Sequence, residues 1–271
     1  MKPVEFTKVV ASGNDFIVLD SLTRSLEVLK NQFARKICDR KYGVGADGLL
    51  ILEKSKNADI RMRLFNADGS EAEMCGNGAR CVALWMSSQL KVHSSEYKFE
   101  TKAGMIKAEV HGELVRIKLT EPKDMKLGVF LKVSRRRIKV HFIDTGVPHT
   151  VIFVEGLAKI DVANLGRKIR YHRIFSPRGT NVDFVEALSY DSIRLRTYER
   201  GVEDETLACG TGAVASALLY AMLYAKGAHL IRVHTQGTEI LNVYFKRVGQ
   251  KFKDVWLEGK ARIVYKGVYY V

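Results

Sequence analysis

The chain has 271 residues, which corresponds to one large domain or to two domains of ordinary size. Hydrophobic residues make up 46% and charged residues 27%, so an apolar core can form and disorder of the whole chain is excluded. Lys and Arg number 44 against 30 Asp and Glu, which gives a formal net charge of +14. This excess is compatible with nucleic acid, an anionic membrane surface or acidic metabolites as partners.

The cysteine content and the hydropathy exclude several further classes. Four cysteines are too few for a disulfide scaffold, and none of them forms the Cys-x-x-Cys pair of a zinc ribbon. No apolar run reaches the length of a membrane span, and the amino terminus has no apolar signal core. We therefore expect a cytoplasmic protein with reduced thiols that spans no membrane.

The first half of the chain is predicted to combine short strands with two helices. The predicted strands are Val4–Val10, Phe16–Asp20, Leu49–Leu52 and Arg61–Phe65, followed by a β-meander over Tyr97–Thr101, Met105–His111 and Val115–Thr120. The helices are predicted over Asn31–Arg40 and from Gly76 to about Ser88. The polar segment Pro122–Leu127 is interpreted as a linker.

The second half is predicted to repeat this plan. The predicted strands are Lys139–Asp144, Val151–Val154, Asn181–Ala187, Ile193–Tyr198, Ile231–His234, Glu239–Lys246 and Asp254–Leu257. A helix is predicted over Asp161–Tyr171, and a second over Thr211–Ala225 is apolar on every face. Such a helix is buried all round, so we place it inside a curved sheet or closed barrel.

An internal duplication relates the two halves. Residues 63–66, 71–74 and 75–80 read RLFN, EAEM and CGNGAR, and residues 196–199, 203–208 and 209–214 read RTYE, EDETLA and CGTGAV. The match predicts two similar α/β (α+β) domains, each a curved sheet or barrel around a central apolar helix, with the active site in the cleft between them. The predicted domains are 1–121 plus 262–271, carrying Cys75, and 122–261, carrying Cys209.

Each Cys-Gly-x-Gly segment is predicted to lie where a strand leads into a helix. The first N–H groups of a helix have no partners within it and carry partial positive charge, so they stabilise a thiolate and bind a carboxylate. Two such modules facing each other would place Cys75 and Cys209 around one carboxylate. This arrangement favours a two-base racemase or epimerase in which one cysteine rests as thiolate and the other as thiol.

A structural role is the competing interpretation for each cysteine. A single cysteine before a helix is most often a small buried hydrophobic residue. Core packing does not require Gly-x-Gly flanks on two copies, so the duplicated pair favours chemistry for Cys75 and Cys209. Cys38 and Cys81 lie inside predicted helices and are interpreted as core residues.

Six motifs carry a resemblance over nearly the whole chain. Residues 11–20, 43–48, 65–80, 144–149, 179–182 and 199–213 contain ASGNDFIVLD, GVGADG, FNADGSEAEMCGNGAR, DTGVPH, GTNV and the pair ERG and ACGTGA. Together they resemble the diaminopimelate epimerase family, cofactor-independent isomerases of lysine and peptidoglycan-precursor biosynthesis. The resemblance implies epimerisation between L,L- and meso-diaminopimelate, a homodimer, and no metal or other cofactor.

The resemblance also implies roles for individual residues. Cys75 and Cys209 would be the acid–base pair, His149 and Glu199 would set their proton affinities, and Tyr265 would lie at the dimer interface. The resemblance implies nine substrate-binding residues, namely Asn14, Asn66, Gly76, Asn77, Asn181, Glu199, Arg200, Gly210 and Thr211. Of these, Gly76, Asn77, Gly210 and Thr211 would offer amides to the reacting carboxylate, whereas Asn14, Asn66, Asn181 and Arg200 would hold the distal end.

Two positions depart from the family pattern. Val147 stands where many relatives have Asn, and Gly48 stands where some relatives have Gln. Neither residue has a side chain that can donate or accept a hydrogen bond. Both changes concern substrate preference rather than proton transfer.

Three other functions remain open from the residues. A related two-cysteine racemase could act on another amino acid, such as histidine, and a Cys-His hydrolase could use His149 with one cysteine. The net charge and the basic run Lys132–Lys139 motivate nucleic-acid binding. No nucleic-acid motif accompanies the charge, and basic residues on an edge strand also protect against aggregation.

Overall fold

The computed structural model describes residues 3–22, 30–89, 95–134 and 136–271. Its strands are β1 (Pro3–Ala11), β2 (Asn14–Asp20), β3 (Gly48–Glu53), β4 (Ile60–Asn66), β5 (Glu71–Ala72), β6 (Glu96–Thr101), β7 (Gly104–His111), β8 (Leu114–Lys118), β9 (Lys123–Val133), β10 (Arg136–Asp144), β11 (Pro148–Phe153), β12 (Asn181–Ser189), β13 (Ser192–Glu199), β14 (Asp204–Thr206), β15 (Leu230–His234), β16 (Ile240–Val248), β17 (Lys251–Lys260) and β18 (Arg262–Tyr270). Its α-helices are α1 (Lys30–Cys38), α2 (Gly76–Gln89), α3 (Val162–Arg170) and α4 (Gly210–Leu223). The fold is therefore α+β, as the sequence predicts.

Contacts divide the chain into two compact units. Unit 1 comprises Met1–Lys118 and Gly259–Val271, and unit 2 comprises Leu119–Glu258. Within the described ranges, neither unit contains a helix of the length and apolarity that crossing a bilayer would require.

Unit 1 is a sheet curved around α2. Strand β1 pairs antiparallel with β2 and β18, β2 pairs parallel with β3, and β3 pairs antiparallel with β4. Strand β4 then pairs with β5 and β6, and β6, β7 and β8 form an antiparallel meander. Helix α2 packs against β1, β2, β7, β8 and β18, so its middle is buried among strands of its own unit.

Unit 2 repeats the same pairings in the same order around α4. Strands β10 and β11 are antiparallel, β11 and β12 parallel, β12 and β13 antiparallel, and β13 pairs with β14 and β15. Strands β15, β16 and β17 complete an antiparallel meander. Residues 212–222 of α4 are all buried, which confirms the prediction of a central helix that is apolar on every face.

The linker predicted over Pro122–Leu127 is wrong, because most of that segment belongs to β9. This strand pairs with β10, and the boundary between the units lies earlier, after Lys118. Most side chains of β9 are exposed or half-buried, so the strand is polar and lacks the apolar alternation by which half-buried strands are recognised.

The basic run Lys132–Lys139 lies at the turn between β9 and β10. Arg135 is outside the described residues, and the Arg137 guanidinium lies over the Phe130 ring, 4.2 Å from its centroid. Packing along an exposed aromatic ring is a structural use of this charge.

Helix α3 covers the other face of the unit 2 sheet. Asp161 caps its first turn by accepting a hydrogen bond from the Asn164 N–H at 3.1 Å. Gly166 faces Tyr198 of β13 so closely that a Cβ at position 166 would lie 2.5 Å from the Tyr198 Cβ. The glycine therefore sets the distance between helix and sheet.

We expect Gly166→Ala to destabilise the protein by about 1–3 kcal/mol, because the added methyl overlaps Tyr198. Helix propensity alone gives the opposite sign, since Ala is favoured over Gly by about 1 kcal/mol in a helix interior. Urea denaturation measures the difference. The matched control is Asn164→Ala, an exposed change in the same helix, and a Gly166→Ala protein as stable as this control would contradict the close packing.

Candidate active site

Cys209 is the residue immediately before α4, where it occupies the N-cap position. Its carbonyl accepts the first helical hydrogen bond, from the Ala213 N–H at 2.9 Å. Its side chain is buried, with 6% of the residue exposed. The first turn of α4 lies so close to β12 that a Cβ on Gly212 would be 2.5 Å from Oδ1 of Asp183. Glycine at 212 is therefore what allows the helix N-terminus to lie over that carboxylate.

A chain of four side chains leads from Cys209 into the interior of unit 2. The Cys209 Sγ lies 3.5 Å from the Thr211 Oγ1, and Thr211 Oγ1 lies 3.0 Å from Nε2 of His149. The other ring nitrogen of His149, Nδ1, lies 2.7 Å from Oδ2 of Asp183. The Thr197 hydroxyl donates to the remaining oxygen of Asp183 at 2.7 Å. Both ring nitrogens of His149 and both carboxylate oxygens of Asp183 therefore have a hydrogen-bond partner.

The surroundings of Cys209 favour the neutral thiol. Burial raises the pKa of Cys209 well above its usual value, and the carboxylates of Glu199 and Asp183 raise it further. Hydrogen bonds that the Thr211 hydroxyl and the Gly212 N–H give to a thiolate act in the opposite direction but are weaker. The helix N-terminus by itself predicts a stabilised thiolate, so desolvation outweighs the helix at this position and the pKa of Cys209 is raised.

Glu199 is the last residue of β13 and lies near this row of hydrogen-bonded side chains. Burial raises the pKa of the Glu199 carboxyl, and the charge of Asp183 adds to the effect, whereas the Thr206 hydroxyl and His149 lower it. His149 and Glu199 thus both lie near Cys209 in unit 2.

Asn181 and Arg200 form a second group in unit 2. The Asn181 side chain donates to the Pro148 carbonyl at 3.1 Å and accepts from the Arg200 backbone N–H at 2.8 Å. The Arg200 guanidinium donates to the Arg178 carbonyl at 3.3 Å, and burial together with the charges of Arg170 and Arg178 lowers its pKa. No carboxylate in the described ranges forms an ion pair with Arg200, which leaves its charge available to an anionic ligand.

Cys75 has the corresponding position in unit 1, immediately before α2, and is half-buried. Its carbonyl accepts from the Ala79 N–H at 2.8 Å. A Cβ on Gly78 would lie 3.3 Å from Cδ2 of Leu50 and 3.7 Å from Cζ of Phe16, so α2 also approaches its sheet closely. The surface beneath this helix N-terminus is hydrocarbon.

A polar network positions the first turn of α2. The Asn77 amide donates to Oδ1 of Asn14 at 2.9 Å and accepts from the buried Arg80 guanidinium at 2.9 Å. Asn14 in turn donates to Oδ2 of Asp47 at 2.7 Å. Asn14 and Asn77 are therefore neighbours whose amide orientations are fixed, whereas Asn66 is exposed at the end of β4 and donates to the Ser70 hydroxyl at 3.0 Å.

Sequence reasoning missed Asp47 and Asp183, both of which orient predicted site residues. A signal for Asp183 exists, because it is a charged residue in the otherwise apolar strand interior Val182–Val185, and all of these residues are buried. The hydroxyl of Thr211 was also missed, since only its amide was considered. Among the described residues, no cluster of three His, Cys, Asp or Glu side chains could hold a metal ion.

The two departures from the family pattern have different structural settings. Gly48 is buried at the start of β3, where a Cβ would lie 3.0 Å from the Phe65 carbonyl oxygen and 3.3 Å from Phe16, so a side chain here requires its neighbours to move by a few tenths of an ångström. Val147 is half-buried in the turn before β11, and its carbonyl accepts from the Thr145 N–H at 3.1 Å.

Comparison with known proteins places the chain among isomerases. A family model described as diaminopimelate epimerase matches residues 6–123 and 141–264. The diaminopimelate epimerase of Aquifex aeolicus is 44% identical, covering 97% of both chains, and that of Chlorobaculum tepidum is 42% identical, covering 94% of this chain and 97% of its own.

Solved structures with little sequence identity share the fold. A PhzF-family phenazine biosynthesis protein of Bacillus anthracis has a TM-score of 0.79 at 18% identity and covers all of both chains. A hydroxyproline epimerase of Agrobacterium vitis has a TM-score of 0.73 at 16% identity, covering 98% of this chain and 92% of its own.

We expect iodoacetamide at neutral pH to alkylate Cys75 before Cys209, because only thiolates react and Cys209 is buried with a raised pKa. Peptide mapping by mass spectrometry at a series of times gives both rates in one sample. Cys38 serves as the internal control, since burial raises its pKa to about 12 and it should stay unmodified. Faster modification of Cys209 than of Cys75 would contradict the assigned protonation state.

Proposed function

The chain belongs to the diaminopimelate epimerase family, and we propose from this that it interconverts L,L- and meso-diaminopimelate by moving one proton at an α-carbon. The observation that carries the proposal is the repeated module in which a cysteine precedes a glycine-rich helix N-terminus, at Cys75 and again at Cys209. A reaction that removes a proton from one face of a carbon and returns another to the opposite face needs two such groups.

The reacting carboxylate binds to the helix N-termini in this mechanism. The first N–H groups of α2 and α4 have no acceptor within their helices, and those of Gly76, Asn77, Gly210 and Thr211 are the donors. These donors also stabilise the negative charge that develops on the carboxylate when the α-carbon loses its proton. No metal or organic cofactor is required for this step, because the protein supplies both the proton acceptor and the charge stabilisation.

One cysteine acts as base and the other as acid in each direction. A thiolate takes the α-proton and becomes a thiol, and the opposite thiol gives its proton to the carbanion and becomes a thiolate. Because the surroundings of Cys209 favour its thiol, we assign Cys75 as the base in the direction that uses Cys209 as acid, and Cys209 as the base in the reverse direction. Glu199 raises the pKa of Cys209, and His149 is linked to the same thiol through the Thr211 hydroxyl, so both residues can influence its proton affinity.

The distal amino-acid end of the substrate binds to Arg200 and three asparagines. The guanidinium of Arg200 presents a planar pair of donors that matches a carboxylate. Asn14, Asn66 and Asn181 supply amide groups, and Asn181 also holds the backbone of Arg200 in place. A substrate with a second zwitterionic end, such as diaminopimelate, uses all of these groups.

Racemisation of another amino acid, such as histidine, is the second candidate. It is favoured by Val147, whose apolar side chain stands at a position associated with substrate preference. The unpartnered charge of Arg200 favours diaminopimelate, because a histidine side chain carries no carboxylate to meet it.

We propose that the chain acts as a homodimer with Tyr265 at the interface. Strand β18 exposes large apolar side chains, and the Tyr265 ring packs edge-on against Phe6 with 45% of the residue exposed. Exposed apolar groups of this kind on one strand commonly mark a contact surface. We further propose a cytoplasmic location, since both reacting thiols must remain reduced.

The substrate assignment is tested with purified protein, a chelator and no added pyridoxal phosphate. We expect interconversion of L,L- and meso-diaminopimelate, followed by chiral chromatography, and no turnover of histidine, glutamate or proline. Cys38→Ala is the control and should retain activity, because Cys38 lies in the core of unit 1. Turnover of histidine without turnover of diaminopimelate would contradict the substrate and leave the two-cysteine mechanism standing.

The division of labour is tested with Cys75→Ala and Cys209→Ala. Epimerisation needs both thiols, so we expect each variant to lose nearly all of it. Abstraction of a proton needs only the remaining thiolate, so each variant should still eliminate HF from a β-fluoro substrate analogue of one configuration, and the two variants should prefer opposite configurations. Elimination from the same configuration by both variants would show that a single base operates.

A further inference from the structure

The duplicated sheets place different chemistry beneath the two helix N-termini. In both units a parallel strand pair leads into an antiparallel pair at the same point of the fold. In unit 1 Phe16 starts the parallel pair and Leu50 pairs with Leu64, whereas in unit 2 His149 starts it and Asp183 pairs with Thr197. The glycines confirm the equivalence, because Gly78 faces Leu50 and Phe16 while Gly212 faces Asp183 and Thr197.

The fold does not require polar residues at these positions. Unit 1 has the hydrocarbon side chains of Phe16, Leu50 and Leu64 at these positions. Unit 2 has His149 and Asp183 there, and both are fully buried. Burying an ionisable pair is costly unless every group is hydrogen-bonded, and replacement of such a pair by apolar residues is often neutral or stabilising. A buried imidazole–carboxylate pair that the sister unit does not need therefore points to a role in chemistry.

One arrangement of protons satisfies all of these hydrogen bonds. An ionised Asp183 can only accept, and Nδ1 of His149 then donates to it. The Nε2 atom of the neutral ring is then an acceptor, and the Thr211 hydroxyl donates to it. The oxygen of Thr211 remains able to accept from the thiol of Cys209.

We propose that Thr211 and His149 form a proton relay for Cys209, and that Asp183 is the positioning residue that holds His149 in the tautomer the relay needs. In the forward step the S–H bond of Cys209 breaks and its proton moves to the oxygen of Thr211. The hydroxyl proton of Thr211 moves to Nε2 of His149 in the same event. The products are a thiolate and an imidazolium, and the reverse step restores the thiol.

The relay gives Cys209 a route to the thiolate that does not involve the substrate. Burial and two carboxylates oppose the thiolate of Cys209, so the bare thiol would rarely ionise. Transfer to His149 creates the thiolate together with an imidazolium whose other N–H faces Asp183, so the charges are compensated inside the protein. The relay concerns one of the two cysteines of the proposed epimerase. Only its use during turnover rests on the proposed function.

The test uses a matched pair at position 211. Thr211→Ser keeps the hydroxyl and Thr211→Val keeps the shape without it, while both keep the backbone N–H. We expect the alkylation rate of Cys209 by a small reagent, measured relative to Cys75 in the same sample, to fall at least 10-fold in Thr211→Val and less than 3-fold in Thr211→Ser. The rate constants kcat should follow the same order with little change in KM, because the hydroxyl acts on the thiol and not on the substrate.

The position of the proton on His149 is tested separately by 15N NMR. The signals of His149, assigned by their loss in His149→Gln, should show the proton on Nδ1 in the parent protein. Asp183→Leu introduces in unit 2 the residue type that unit 1 has at the equivalent position, Leu50. We expect this variant to lose the preference of the His149 proton for Nδ1 and to show slower alkylation of Cys209. Thr197→Val is the control, since it removes a partner of Asp183 and leaves the bond to His149 intact.

Each outcome decides the proposal. Equal Cys209 reactivity in Thr211→Val and Thr211→Ser would overturn the relay, as would a proton found on Nε2 in the parent protein. If Asp183→Leu does not fold, the pair at position 211 still decides. Alkylation and NMR need no substrate, so a relay that is present in a protein without epimerase activity would overturn the proposed function and not the relay.

Discussion

The close approach of a helix N-terminus to the sheet beneath it is the constraint on which the site depends. At Gly212 and Gly78 any larger residue would meet a side chain of the underlying strand, so each glycine fixes the distance between helix and sheet. At that distance, the first N–H groups of the helix and the cysteine that precedes it lie next to the side chain that the underlying strand presents. The same backbone feature thereby leaves amide groups that can bind an anion and determines the electrostatic surroundings of a thiol.

Duplication repeated this backbone but not the chemistry beneath it. In unit 2 the strand presents Asp183, and in unit 1 it presents Leu50 at the equivalent point. The two thiols thus share a position relative to their helices and differ in exposure and in the residues that the underlying strand presents. A reaction that uses one thiol as base and the other as acid benefits from this difference, because the resting enzyme must hold one proton and not two.

Much of this arrangement could be predicted from the sequence. The helix α4 and the Cys-Gly-x-Gly junctions carry strong local signals. The helix is apolar on every face, and the junction occurs twice with matching flanks. Strand β9 could not be recognised, because its exposed side chains leave no alternation to read. The role of Asp183 could not be predicted either, since it depends on the register of β12 against β11 and on the closeness of α4, and neither is encoded in a local pattern.

The source of the incoming proton tests the two-base account most directly. L,L-Diaminopimelate is converted in D2O, the reaction is stopped early, and substrate and product are separated for mass spectrometry. The account requires one deuterium at the α-carbon of the meso product and none in the remaining L,L substrate, because the donating thiol exchanges with solvent and the abstracted proton leaves on the other cysteine. A product without deuterium, or equal labelling of substrate and product from the start, would contradict it.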